Sequence, residues 1–226
     1  MKSLVNRFIY RMLIRFVFLK NRLIGVRVNH YGSLYGGWYF ASKLIDDKSI
    51  IYSFGIGEDI SFDQQIIKEK NATIYGFDPT PRSWEYISNI NLSNFYLYKF
   101  GISDYDCIKK FYAPENKEHV SFSTFSNNNN DSIDAQFYCL DTILKKLNHT
   151  NIDLLKLDIE GEEFNVLENI IRNLIRPKQI LVEFHPERSR AFRSKHFDTI
   201  KKLKKIGYKL VYFSNGYREC SFYFSS

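Results

Sequence analysis

The residues of this chain best placed to do chemistry lie in three short stretches. The first is Ser53-Phe54-Gly55-Ile56-Gly57-Glu58-Asp59, answered downstream by Phe77-Asp78-Pro79. A β-branched and aromatic run that breaks into Gly-x-Gly and leads to a second run ending in an acid describes a βαβ nucleotide-binding unit. Gly55 and Gly57, lacking Cβ, allow a tight turn and a close ligand, and the helix that follows offers free N–H groups at its start. Asp78, at the end of the second strand, is placed to accept hydrogen bonds from the two hydroxyls of a ribose. An adenosine-type cofactor follows. The third glycine of a dinucleotide fingerprint is missing, and Glu58 and Asp59 stand where a pyrophosphate would need to sit. Carboxylates there favour a cofactor carrying positive charge, and S-adenosylmethionine has a sulfonium and an ammonium.

The second stretch is Lys156-Leu157-Asp158-Ile159-Glu160. If the strand continues through it, alternation puts one ammonium and two carboxylates on one face, at the sheet edge where open α/β folds bind ligands. A purely structural Lys–Asp pair is the alternative. The third stretch, Glu183-Phe184-His185-Pro186, ends the next strand; His185 titrates near neutrality and is suited to take a proton, though a surface histidine before a helix would read the same way. Cys107, Cys139 and Cys220 lack metal-ligand spacing and read as reduced thiols of a cytosolic protein. No ligand pattern demands a metal.

The elements that must position these residues alternate. Strands are predicted at Ile50–Phe54, Thr73–Asp78, Phe95–Phe100, Asp153–Asp158, Gln179–Phe184, Tyr208–Phe213 and Ser221–Phe224. Helices are predicted at Ile60–Glu69, Arg82–Asn89, Asp141–Leu147, Glu162–Asn173 and Phe197–Ile206. This order is that of a mostly parallel α/β sheet covered on both faces. Gly216 marks a hairpin, so the last two strands should be antiparallel. Residues 105–140 form an insertion with short strands at Ile108–Ala113 and Gln136–Leu140 around the run Asn127–Asn130, and His119 to Phe125 within it is a candidate cover for the substrate. The glycine-rich loop Tyr31-Gly32-Ser33-Leu34-Tyr35-Gly36-Gly37-Trp38-Tyr39 either caps the cofactor pocket or serves as a connector whose Trp38 fills the core edge.

The chain has 226 residues with a net charge of +7 and carries 20 Phe and 16 Tyr, which suits one α/β domain (31–226) with a full core. Residues 1–30 form a separate basic amphipathic helix in this reading. At ~100° per residue, Arg7, Arg11, Arg15 and Arg22 fall on one stripe and apolar residues cover the rest. No run reaches the ~20 uncharged residues needed to span a bilayer. Residues 2–23 could therefore lie on a membrane surface or pack on the domain or a second subunit. Nucleic acid fits the charge distribution less well, and nothing in the sequence speaks to oligomeric state.

In this order the motifs resemble the FkbM family of S-adenosylmethionine-dependent methyltransferases. The resemblance rests on Ser53 to Asp59, on Phe77-Asp78-Pro79, on Gly101-Ile102-Ser103-Asp104 and on Leu155-Lys156-Leu157-Asp158-Ile159-Glu160-Gly161-Glu162-Glu163, and spans about residues 35 to 215. It implies a seven-stranded sheet of the class I methyltransferase type, adenine contacts at Ser103 and Asp104, and methylation of hydroxyl oxygens, often on sugars or polyketides. Many class I methyltransferases carry an acid where Ser53 stands; Glu58, Asp59 and Asp158 are its substitutes toward the methionine end. His185, with Asp158 or Glu160, is the expected base, and the expected acceptor is a small molecule or glycan. A methyltransferase fold that only binds is the main alternative. A nicotinamide-dependent oxidoreductase is a weaker one, since Glu58 and Asp59 oppose its pyrophosphate.

Overall fold

The computed structural model describes residues 12, 15–17, 19, 25–112, 132–185, 192–214 and 218–225. Its main sheet contains β3 (Ile50–Phe54), β4 (Thr73–Phe77), β5 (Phe95–Tyr98), β9 (Leu154–Leu157), β10 (Gln179–Glu183), β11 (Tyr208–Phe213) and β12 (Glu219–Phe224), in the spatial order β11-β12-β10-β9-β3-β4-β5. The five strands from β10 to β5 run parallel. β12 enters between β10 and β11, antiparallel to both. The predicted seven-stranded, mostly parallel sheet with an antiparallel last hairpin is thus present, and the Gly216 turn lies outside the described residues.

Alternation along the strands explains why they read as unbroken apolar runs. Ile51, Leu154 and Leu181 enter a core with Phe40, Phe62 and Ile66, whereas Tyr52, Leu155 and Ile180 enter a second core with Ile143, Leu167 and Leu203. The first core is roofed by α1 (Ser61–Lys70) and the hairpin of β1 (Asn29–Tyr31) and β2 (Trp38–Phe40). The second is roofed by α3 (Leu140–Leu147), α4 (Glu163–Arg172) and α5 (Phe192–Lys205). Asn71 and Asn148 end α1 and α3 in left-handed conformation, at φ 54° and 55°. Pro81 opens α2 (Pro81–Ser88), where its missing N–H has no intrahelical partner to lose.

Two departures from the sequence expectation shape the site. The strand expected over Phe95–Phe100 stops at Tyr98, and Gly101–Ile102 forms β6, which joins a separate sheet of order β6-β8-β7 with β7 (Cys107–Tyr112) and β8 (Ser132–Tyr138). Gly101 packs against the Phe137 ring so closely that a Cβ there would lie 2.4 Å from it. The insertion is therefore a sheet hinged at the end of β5, with α3 starting at Leu140 where the expected strand Gln136–Leu140 would still run. The substrate cover expected at His119 to Phe125 and the run Asn127–Asn130 lie outside the described residues, as does most of the N-terminal segment. There Met12, Arg15, Phe16, Val17 and Leu19 are helical, and Val17 packs on the second core. No helix among the described residues is long and apolar enough to cross a membrane.

Candidate active site

Over the C-terminal ends of β3, β4, β9 and β10 opens a cleft of about 690 Å³, where such sheets place their ligands. One end is built on the glycine turn. Gly55 has φ +79°, and a Cβ on it would lie 1.7 Å from the carbonyl oxygen of Asp158, so only glycine fits between the two turns. Gly57 has φ +54°; a Cβ added to it would meet no heavy atom within 4 Å, so its backbone lies open to the cleft.

Asp78 holds this turn. Its Oδ2 accepts the N–H groups of Ile56 at 2.9 Å and Gly57 at 3.1 Å, and its Oδ1 accepts the Thr80 N–H at 2.8 Å and the Thr80 hydroxyl at 2.6 Å. A carboxylate has about four acceptor positions, and these bonds use them. The ribose role expected for Asp78 thus meets an acceptor already filled by the loop.

Asp59 is similarly committed. It accepts Ser33 Oγ and the Ser61 N–H at 2.7 and 2.8 Å. Burial would raise its pKa, but the hydrogen bonds from Ser61, Ser33 and Gly36 hold it below the usual carboxylate range. Through Asp59, and through bonds from Gly32 to Gln65 and from Ser33 to Ser61, the glycine-rich loop is tied to the start of α1. It does both things the sequence left open, since Leu34, Tyr35 and Gly36 line the cleft while Trp38 is buried. Glu58 also lines the cleft and faces the exposed Arg82 at 3.3 Å.

Ser53 is fully buried, and a carboxylate comes near it from another element: Asp63 of α1, wholly buried beside Ser53 and the Lys156 ammonium. Burial raises the pKa of Asp63, and Lys156 opposes that rise. Lys156 lines the cleft with Asp158 and Glu160 and donates to the Gly55 carbonyl at 2.7 Å. Ser103 and Asp104 line no part of the cleft. Ser103 is buried, receives Lys109 Nζ at 2.7 Å and donates to Glu162 at 2.9 Å, while the Asp104 carbonyl accepts Asn169. Gly101 and Ile102, two residues earlier, reach the cleft in their place.

The other end of the cleft is acidic. β9 stops at Leu157, and the chain turns through Glu160 at φ +51° and Gly161, yet Asp158 and Glu160 still converge, now on His185. His185 Nδ1 is 2.7 Å from Oε1 of Glu163, a fully buried carboxylate on the first turn of α4. Its Nε2 stands 3.5 Å from Glu160, 3.7 Å from Asp158 and 3.9 Å from Glu183. Burial disfavours the imidazolium, but the hydrogen bond and charge of Glu163, with Glu160 and Asp158, outweigh it and push the pKa up to about 9. Burial and Asp158 push Glu183 up to about 7, against the pull of His185 and Arg218. Glu219, brought in by β12, is raised for the same two reasons.

His185, Asp158 and Glu160 are therefore brought together as the sequence suggested, and the surrounding carboxylates favour the protonated imidazole, which works against His185 as the base expected. Glu163, Glu183 and Glu219 complete the group. Glu183 stands in the stretch the sequence singled out for His185; the sequence held no sign of Glu219, whose strand is inserted out of order. Asp158, Glu183 and His185 each offer one ligand atom, all within 4.8 Å of one another. These ligands come from two strands, which is why no spacing motif announced them.

The cleft fits S-adenosylmethionine. Its size suits a small-molecule site, Ile56, Phe77, Ile102 and Phe137 offer an apolar wall, the Gly57 backbone is open to it, and the carboxylates at the far end suit a cationic ligand.

The family model described as "Methyltransferase FkbM domain" matches residues 39–210. A search of curated proteins found no match. Among solved structures, the chain is similar to an rRNA methylase from Streptococcus thermophilus, at 10% identity over 82% of this chain and 92% of that one with a TM-score of 0.48. It is also similar to Aeropyrum pernix fibrillarin in complex with S-adenosyl-L-methionine, at 12% identity over 92% and 86% with a TM-score of 0.43. A third is a precorrin-6y C5,15-methyltransferase from Geobacter metallireducens, at 13% identity over 80% and 85% with a TM-score of 0.42. With the family model covering most of its length, the chain belongs to the FkbM family of S-adenosylmethionine-dependent methyltransferases.

Proposed function

We propose that the chain moves a methyl group from S-adenosylmethionine to a hydroxyl oxygen of a sugar or glycan. The observation that carries this reading is that one cleft joins an open glycine turn to a converging set of carboxylates and one imidazole. S-adenosylmethionine, when bound, supplies an electrophilic methyl carbon on a sulfonium sulfur, which departs as a neutral thioether when an oxygen attacks in line. The protein's part is first to align that oxygen. Its second part is to take the hydroxyl proton, because a sugar hydroxyl is a poor nucleophile. Glu160 and Glu183 face the place where that proton is released, and Glu183, at about 7, is poised for transfer near neutrality. His185 holds the carboxylates together as their counter-charge.

The glycan part of the reading is supported at the mouth of the cleft, where Leu34 and Tyr35 are exposed. Exposed apolar side chains beside a cleft mark binding surfaces, and the Tyr35 ring offers a flat face to a sugar. Along the N-terminal helix, Met12, Phe16 and Leu19 are exposed at helical spacing while Val17 faces the core. This supports attachment to a membrane surface in the cytoplasm, where a lipid-linked acceptor would lie.

Titration calorimetry with S-adenosylmethionine and S-adenosylhomocysteine, with NAD as control, followed by homocysteine release on a panel of sugar and lipid-linked glycan acceptors, tests the proposal. Micromolar binding of the first two and turnover on a hydroxylated acceptor are expected. Binding without turnover on any acceptor would instead indicate a binding module. Tyr35→Ala should raise KM for the acceptor roughly 5-fold, about 1 kcal/mol of stacking, and leave kcat within a factor of two; an unchanged KM would remove Tyr35 from the acceptor site.

A further inference from the structure

We propose that Asp158, Glu183 and His185 form a divalent-cation site at the acidic end of the cleft, and that the cation holds the acceptor oxygen. The second half rests on the methyl-transfer reading above; the first does not.

Two carboxylates alone would not carry this. The set includes an imidazole whose orientation is fixed from behind: Nδ1 is engaged at 2.7 Å by Glu163, which is fully buried, so Nε2 is left facing the cleft. A metal-binding histidine typically has its second nitrogen held by a carboxylate in this way. Nε2 then stands 3.5 to 3.9 Å from three carboxylates. Those separations are long for hydrogen bonds and suit atoms that share a neighbour. Two ligand atoms on one cation stand roughly 4 to 5 Å apart at most, and these lie within 4.8 Å of one another already. The two elements that supply them, β9 and β10, are adjacent parallel strands paired at Leu157 and Val182, in the middle of the sheet.

Charge points the same way. Among the described residues, seven carboxylates line the cleft against three basic side chains, in a chain whose net charge is +7. Among the described residues, Arg218 is the guanidinium that lines the cleft; it reaches Glu183 at 3.4 Å and its side chain is 53% exposed.

One nitrogen and two oxygen ligands suit Mn2+ or a cation of similar hardness, and leave coordination positions open to the cleft. A hydroxyl entering there becomes more acidic. The cation takes the place of the His185 Nε2 proton as counter-charge to these carboxylates; with Asp158, Glu183 and the neutral imidazole on it, Glu183 is a ligand and the hydroxyl proton passes to Glu160. The oxygen lone pair forms the new C–O bond, and the S–C bonding pair stays on sulfur.

Mn2+ titrated into chelator-treated full-length protein, followed by electron paramagnetic resonance, should show one bound ion per chain. Asp158→Asn and Glu183→Gln should each weaken it 10- to 100-fold. Spin-echo spectra of the bound ion should show one coupled 14N in the unmodified chain, a readout that needs no variant to fold. S-adenosylhomocysteine binding, measured on the same samples, separates the two readings. Nucleoside bound with no Mn2+ taken up below about 1 mM, or Mn2+ bound without nitrogen coupling, overturns the site and leaves methyl transfer standing. Nitrogen-coupled Mn2+ without nucleoside binding upholds the site and overturns methyl transfer.

Discussion

The two ends of the cleft are made from the same kind of residue and treat it in opposite ways. At the glycine end, Asp78 and Asp59 have their oxygens filled by N–H and hydroxyl donors. At the other end, Asp158, Glu160 and Glu183 crowd around one imidazole at distances longer than hydrogen bonds, and burial with mutual repulsion lifts Glu183 to about 7. A satisfied carboxylate is a fastener: it fixes backbone and has nothing left for a ligand. A crowded one is held out of its preferred state and gains from a proton, a cation or a reacting hydroxyl. Asp78 and Asp59 thus brace the glycine turn, and the proposed chemistry falls to the residues around His185.

Swapping the charge at each end would break this assignment if it were wrong. The largest effect is expected from Glu160→Gln, which should lower kcat by about 10²- to 10⁴-fold while S-adenosylhomocysteine binds within a few-fold of normal; equal losses in both would make Glu160 a binding residue instead. Next comes Asp78→Ala. It strips the N–H groups of Ile56 and Thr80 of their acceptor, and should cost about 3–4 kcal/mol of unfolding free energy together with cofactor affinity. A denaturant midpoint that stays put would show that the loop holds itself.

The smallest effect sharpens the comparison through two histidines in opposite surroundings. His185 is raised to about 9 by carboxylates, whereas His196 of α5, buried with its ring 4.4 Å from that of Phe184, is lowered by burial to about 4. An unfolded histidine titrates near 6.5. Between the two values the unfolded chain takes a proton that folded His196 refuses, so stability is full above pH 6.5 and falls as pH drops toward 4, by up to about 3 kcal/mol. Unfolding curves from pH 7 to 4 should be flatter for His196→Phe by that amount; parallel curves would mean that His196 protonates in the folded state.

Much of this was legible in the sequence because strands buried on both faces read as continuous apolar runs. β3, β9 and β11 were placed within one residue at each end, and Gly55 and Gly57 announced the turn. Asp158, Glu160 and His185 were legible as two acids and an imidazole at strand ends. What escaped depends on partners brought together by the fold. Ser103 follows a strand as an adenine contact would, but Glu162, 59 residues away, and Lys109 claim its hydroxyl. Asp78 looked like a ribose acceptor because no sequence pattern records that its oxygens bond back to residues 22 and 21 positions earlier. The hairpin of β1 and β2 went unseen because its strands are three residues each, too short to show a period.

The contact between Gly55 and the Asp158 carbonyl has a consequence for how such a domain can diverge. The two turns are a hundred residues apart in the chain, yet their backbones touch with no room for a methyl group. Neither can therefore drift alone. A chimera that imports a relative's acidic turn must keep glycine on the facing turn, and one that places alanine at 55 must rebuild the path of residues 158–160. The acidic turn and the glycine turn are therefore constrained together, as one heritable unit spread over two distant segments of sequence.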